Sequence, residues 1–153
     1  MKRVIKACVT LGFVGYVPRA PGTAGTLIAA AVYYALPWHY SAEAMFLIAS
    51  ILGLLLARPA IRIMNSRDPQ VFVLDEFAGF MTAMLFLPKT GVIILAGFVI
   101  FRILDTLKPL GIRKLDAMNH PQAVMWDDLL AGAYTNLTLR IGLAVCGIIS
   151  DRV

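Results

Sequence analysis

Five carboxylates stand at the ends of apolar stretches, where a charged side chain is costly. They lie in the segments DPQVFVLDEFAGF, FRILDTLKP and VMWDDLLAG, and they are Asp75, Glu76, Asp105, Asp127 and Asp128. Clustered carboxylates in a partly dry site repel one another unless a cation neutralises them, and all-oxygen ligand sets favour hard ions. These residues therefore predict a Mg²⁺ site, with all five as candidate metal ligands and catalytic groups.

Basic and glycine-rich residues accompany the acids. Arg102 and Lys108 flank Asp105, and the stretch RAPGTAG separates two apolar segments near the N-terminus. A bare metal site has no use for these groups, but a phosphate bound beside the metal does, because guanidinium, ammonium and helix-start amide groups all bind phosphate. The candidate phosphate-binding residues are Thr23, Gly25, Thr26, Arg102 and Lys108.

Each feature taken singly also fits a structural role. Acidic pairs such as Asp127 and Asp128 often cap a helix or lie in its first turn, and Asp75 and Glu76 fit the same description. The spacing of Arg102, Asp105 and Lys108 suits a salt-bridge ladder, and Thr23 or Thr26 suits a helix cap. The occurrence of all these features at the same predicted side of a membrane favours the metal and phosphate site.

The composition is that of an integral membrane protein. Hydrophobic residues make up 59% of the 153 residues, the mean hydropathy is +0.78 and only 15% of residues are charged. The net charge of +5 is spread through loops, which excludes nucleic acid as a partner and favours anionic lipid head groups. Cys8 and Cys146 show no spacing that indicates a disulfide framework or zinc.

The apolar runs predict an all-α, polytopic membrane bundle formed by one domain over residues 1–153. About five membrane-embedded helices are expected, most of them shorter than the roughly 20 residues of a full crossing. They are Thr26–Trp38, Glu43–Ala57, Val71–Pro88, Gly91–Leu104 and Leu129–Ile149. The basic N-terminal stretch predicts a short interfacial helix before them.

The distribution of Lys and Arg orients this bundle with its N-terminus in the cytoplasm. Only Lys89 and Arg152 then fall outside, where Tyr33, Tyr34, Trp38 and Tyr40 form part of an aromatic belt. The five acids and the glycine-rich stretch all lie toward the cytoplasmic side. Arg140 interrupts the last apolar run, and we expect that span to end near it.

Four ordered segments, PRAPGTAGT, DPQVFVLDEFAG, FRILDTLKP and VMWDDLLAG, resemble the signature blocks of the phosphatidylglycerophosphatase A family of bacterial lipid phosphatases. The resemblance implies an all-helical fold, Mg²⁺ dependence and a phospholipid substrate in the bilayer. It also implies removal of the terminal phosphate of phosphatidylglycerophosphate at the inner face of the plasma membrane. The sequence departs from the family pattern at Gly111, which replaces a proline, and in NHPQAVMWDD, which lacks a glycine-rich stretch.

The predicted mechanism is direct attack by a metal-activated water, because no Cys, Ser or His has the setting of a partnered nucleophile. Asp68, in RDPQ, is a weaker candidate for orienting a ligand or capping a helix. Two other classes remain open, a small cation or proton-coupled transporter and a non-catalytic assembly protein. Transporter sites usually lie near the midplane between repeated halves, whereas these acids gather at one side and no repeat is visible. The oligomeric state is not predicted.

Overall fold

The computed structural model describes residues 1–37, 40–66, 69–109, 111–118 and 120–147. Within these ranges the chain forms seven α-helices and one 3-10 helix and has no strand, which confirms the all-helical prediction for the described residues. Three residues with predicted roles, Trp38, Asp68 and Arg152, lie outside the described residues.

The helices follow the apolar runs, with several shifted boundaries. They are α1 (Lys2–Val9), the 3-10 helix (Val14–Tyr16), α2 (Pro21–Ala35), α3 (Ser41–Met64), α4 (Leu74–Met84), α5 (Gly91–Leu107), α6 (Ile112–Asp116) and α7 (Ala123–Val145). Helix α2 begins with a proline at its first position, where the missing N–H costs no hydrogen bond. Helix α5 begins after Thr90, whose hydroxyl accepts a hydrogen bond from the Ile93 amide at 3.3 Å.

Helix α4 is the centre of the bundle. It packs against α2, α3, α5 and α7, and every one of its residues except Glu76 is buried. The chain enters it through a hydrogen bond from the Val73 amide to the Val9 carbonyl at the end of α1. A helix surrounded in this way holds its side chains in fixed positions, because each is confined by neighbours on several sides.

The expectation of about five membrane-embedded helices is not confirmed. Among the described helices, α3 is the one long and apolar enough to cross a membrane. Helix α4 has 11 residues, about 16 Å at 1.5 Å per residue, so the run Val71–Pro88 does not form one crossing helix. Its apolar character reflects burial inside the protein.

Small residues let α4 and α7 approach closely. A Cβ added at Gly132 would overlap the Gly79 carbonyl oxygen, and one added at Gly79 would lie 2.7 Å from the Asp128 carbonyl oxygen. Backbones this close leave no room for larger side chains at the crossing. The crossing fixes the acidic end of α7 against the acidic start of α4.

Helix α7 does not break at Arg140 but continues to Val145. The Arg140 guanidinium donates to the Leu85 and Phe86 carbonyls at 3.0 and 3.3 Å and to Asn136 Oδ1 at 2.8 Å. Asn136 in turn donates to the carbonyls of Ala83 and Leu85. The charge is accommodated because it satisfies carbonyls at the end of α4.

Candidate active site

All five predicted acids line one open pocket of about 750 Å³. It lies where the first turns of α2 and α4, the last turn of α5 and the second turn of α7 converge. Thr23, Arg102 and Lys108 line the same pocket. The start of a helix favours a bound anion through its free amides and dipole, and α2 and α4 both present their N-termini here.

Three of the acids form a tight group. Asp75, Glu76 and Asp128 each place one carboxylate oxygen within 4.8 Å of the others. Asp75 and Asp128 are only 6% and 4% exposed. Asp75 Oδ1 accepts a hydrogen bond from the Glu76 amide, whereas Glu76 Oε2 is buried without a hydrogen-bond partner. Buried, unsatisfied carboxylate oxygens are costly alone, and a hard divalent cation would satisfy them. The donor set therefore fits Mg²⁺.

The other two acids pair with the cations of the pocket. Arg102 Nη1 lies 2.7 Å from Asp105 Oδ2, one turn along α5, as the spacing predicts. Helix α5 ends at Leu107, where Lys108 adopts a left-handed backbone with φ of 46°. Its ammonium lies 2.7 Å from Asp127 Oδ2 on α7, so the two ion pairs present both cations at the pocket.

Helix α7 begins at Ala123, so Asp127 and Asp128 lie in its second turn and do not cap it. Gln122 occupies the cap position. Asp75 and Glu76 do lie in the first turn of α4, where acids complement the helix dipole. Asp75 and Glu76 therefore have the positions of first-turn acids. The expectation that Asp127 and Asp128 cap α7 or lie in its first turn is wrong.

The glycine-rich stretch divides between the pocket and the core. Thr23 lines the pocket, but Gly25 and Thr26 are buried behind it and are not among the lining residues. A Cβ at Gly25 would lie 2.8 Å from Val73 Cβ, and the Thr26 hydroxyl donates to the Gly22 carbonyl at 2.9 Å. The structure therefore places these two residues in helix packing and outside the pocket lining, and no side chain caps α2.

The pocket also contains residues that the sequence prediction missed. Gly22 lies against Glu76 of the acidic cluster, since an added Cβ would overlap Glu76 Oε1 and lie 3.2 Å from Arg102 Nη1. Arg19 and His120 line the pocket as well. Arg19 is the first residue of the stretch RAPGTAG, so the sequence contains a signal for it, whereas His120 lies in a loop whose path the sequence does not specify.

Comparison with known proteins identifies the family of the chain. The family model described as phosphatidylglycerophosphatase A matches residues 7–143. The chain is 39% identical to phosphatidylglycerophosphatase A of Escherichia coli over 77% of this chain and 71% of that protein. It is 32% identical to the Haemophilus influenzae phosphatidylglycerophosphatase A over 78% and 77%.

A protein of Bacteroides thetaiotaomicron, provisionally named a phosphatidylinositol-3-phosphatase, is 33% identical over 87% of this chain and 89% of its own length. No solved structure gives a significant match. These matches give no support to the transporter alternative. The family model spans most of the chain and includes every residue of the acidic pocket. The chain therefore belongs to the phosphatidylglycerophosphatase A family of phosphatases.

Proposed function

We propose that this chain is a Mg²⁺-dependent lipid phosphatase that converts phosphatidylglycerophosphate to phosphatidylglycerol and phosphate. The observation that carries the proposal is the joining of three clustered carboxylates and two cations in one pocket of a phosphatase-family chain. Carboxylates suit a hard cation, and the cations suit the phosphate that it helps to bind. A metal site alone would not need the two basic side chains, and a phosphate site alone would not need the three clustered carboxylates.

In the proposed reaction a water oxygen forms a bond to the terminal phosphorus while the bond to the alcohol oxygen of the head group breaks. The alcohol leaves with a proton, and the products are phosphatidylglycerol and inorganic phosphate. When bound, Mg²⁺ offsets the charge on the phosphoryl oxygens and activates water for attack. Asp75, Glu76 and Asp128 are the residues proposed to hold it.

The remaining pocket residues are proposed to bind and orient the phosphate. Arg102 and Lys108 neutralise its oxygens, and Thr23 donates from the first turn of α2. Asp105 and Asp127 hold the two cations through the 2.7 Å ion pairs, so that both point at the substrate before it arrives. Arrangement before binding matters because phosphoryl transfer depends mainly on positioning and electrostatics.

The same proposal places the enzyme in a bacterial plasma membrane as a multi-pass protein with the pocket toward the cytoplasm. The apolar helix α3 and the excess of Lys and Arg near the pocket end support this orientation. The acyl chains of the substrate then stay in the bilayer while the polar head group enters the pocket. A hydrolase of a polar group needs a membrane fold for this reason.

The test is a phosphate-release assay of purified protein with several lipid monophosphates, with Mg²⁺ and with EDTA. We expect release from phosphatidylglycerophosphate only with Mg²⁺, and a loss of about 100-fold or more in Asp75→Asn and in Asp128→Asn. The matched control is Glu43→Gln, which removes a carboxylate outside the pocket but keeps an oxygen acceptor for the Phe86 amide. Full activity of both pocket variants would refute the proposal.

A further inference from the structure

Arg19 is a pocket residue that the proposed hydrolysis leaves unused. It is exposed and lines the pocket beside the start of α2. Arg102 and Lys108 already pair with carboxylates, whereas Arg19 has no ion pair within the described ranges of the chain. Its guanidinium is therefore available to an anion that enters from outside.

The backbone holds Arg19 at a defined place. Its φ of 72° lies in the left-handed region, which non-glycine residues seldom adopt. The segment before it is anchored where Gly15 donates to the Thr10 carbonyl at 3.0 Å and packs against the Val71 backbone. The segment after it enters α2 at Pro21. A left-handed residue persists when its surroundings fix it, so the position of Arg19 is set from both sides.

Exposed apolar side chains directly precede Arg19. The exposed fractions are 56% for Phe13, 49% for Tyr16 and 44% for Val17. The ring centroids of Phe13 and Tyr16 lie 6.2 Å apart. Exposed aromatic residues beside basic ones are typical of the interface between water and lipid. Arg19 thus lies in the chain between an exposed apolar segment and the helix start that lines the carboxylate pocket.

The lipids named by the relatives share one chemical feature. Phosphatidylglycerophosphate and a phosphorylated phosphatidylinositol each carry a terminal phosphomonoester and, nearer the acyl chains, an anionic phosphodiester. If the monoester binds beside Asp75, Glu76 and Asp128, the diester lies on the side of the pocket nearer the bilayer, because it is closer to the acyl chains. We infer that Arg19 binds this phosphodiester and thereby selects lipids with two phosphates over lipids with a single terminal phosphate. The inference rests on the proposed function.

The test separates the two phosphates by binding, without turnover. Short-chain phosphatidylglycerol carries only the diester, and inorganic phosphate with Mg²⁺ mimics only the monoester. The variant is Arg19→Asn, because Asn tolerates the left-handed backbone and removes the charge. We expect calorimetry to show about tenfold weaker binding of short-chain phosphatidylglycerol and unchanged binding of inorganic phosphate in the presence of Mg²⁺. Arg19→Lys, which keeps the charge, should weaken the lipid less.

The matched control is Arg58→Gln, which removes an exposed cation outside the pocket and should leave both affinities unchanged. If Arg19→Asn aggregates, Arg19→Gly replaces it, since glycine also accepts this backbone. Unchanged lipid affinity, or an equal loss for lipid and inorganic phosphate, overturns the inference. Absence of phosphate release by the unaltered protein would instead overturn the proposed function, so the two failures are distinguishable.

Discussion

At the scale of single residues, the five acids of the pocket divide into two groups. Asp75, Glu76 and Asp128 lie close enough together to share a cation, whereas Asp105 and Asp127 each hold a basic side chain. A carboxylate that pairs with a cation gains a counter-charge from the protein itself, whereas in the proposed function the tight group takes its counter-charge from an ion in solution. The two groups should therefore fail differently when they are altered.

Asp127→Asn tests this division. Loss of the carboxylate frees the Lys108 ammonium from its 2.7 Å partner, so we expect kcat/KM to fall about 10-fold to 100-fold. The Mg²⁺ concentration that gives half-maximal rate should stay unchanged, because Asp127 is outside the tight group. The measurement is a Mg²⁺ titration of activity for the unaltered protein and the variant. A marked rise in the required Mg²⁺ would show instead that Asp127 holds the ion.

The cost of charge in apolar sequence was enough to identify the acids, because all five of them line one pocket. The sequence did not distinguish Gly22 from Gly25, since both belong to the same short stretch. Their difference depends on which face of α2 meets Glu76 and which meets Val73. Both contacts depend on how α2 packs against a segment that is distant in the sequence, so the local sequence pattern does not predict them.

At the scale of elements, the crossing of α4 and α7 positions Asp128 beside Asp75 and Glu76. Its two glycines set the distance between the helices, and even one methyl group at Gly132 would overlap the Gly79 carbonyl. Any forced separation would also move Asp128 away from Asp75 and Glu76. Stability and activity are therefore coupled at this crossing.

We expect Gly132→Ala to lower the free energy of unfolding by about 1–3 kcal/mol and to reduce phosphate release. The matched control is Gly142→Ala on the same helix, where an added Cβ meets nothing within 4 Å. Alanine also favours a helix more than glycine does, so the control should be neutral or stabilising. Thermal unfolding in detergent measures the stability of the two variants. Equal melting temperatures for the two variants would contradict the close crossing.

Arg140 is a second element-level feature, because it joins α7 to the loop after α4. We expect Arg140→Met to cost about 1–3 kcal/mol, since the Leu85 and Phe86 carbonyls lose a charged donor. Thr138→Ala serves as the control on an exposed position of the same helix. Equal stability of the two variants in a denaturation experiment would show that the contact contributes little.

The hydropathy pattern predicts where the helices occur, but it does not predict where they end or whether they face lipid or the protein interior. The run Val71–Pro88 was expected to be a membrane-embedded helix, yet only Leu74–Met84 is helical and it lies in the protein core. Apolar residues serve lipid and protein interior equally, so composition alone does not separate the two environments. For Arg140, the pattern recorded an unfavourable charge but not the carbonyls that receive it.

At the scale of the whole molecule, the pocket and the loop after α4 lie at opposite ends of the bundle. The proposed topology puts the first in the cytoplasm and the second outside. Met118 at the pocket and Phe86 in the loop are 55% and 70% exposed, and each can be replaced by Cys in a chain lacking Cys8 and Cys146. A membrane-impermeant thiol reagent should modify Phe86→Cys in intact cells and Met118→Cys only in inverted vesicles. Modification of both from one side would contradict the topology.

The central claim is that carboxylates from α4 and α7 together hold one divalent cation. Its most direct test is binding of Mn²⁺, a spectroscopic substitute for Mg²⁺, to purified protein followed by electron paramagnetic resonance. We predict saturable Mn²⁺ binding that Mg²⁺ displaces, and its loss in both Asp75→Asn and Asp128→Asn but not in Glu43→Gln. Undiminished Mn²⁺ binding by the two pocket variants would contradict the account.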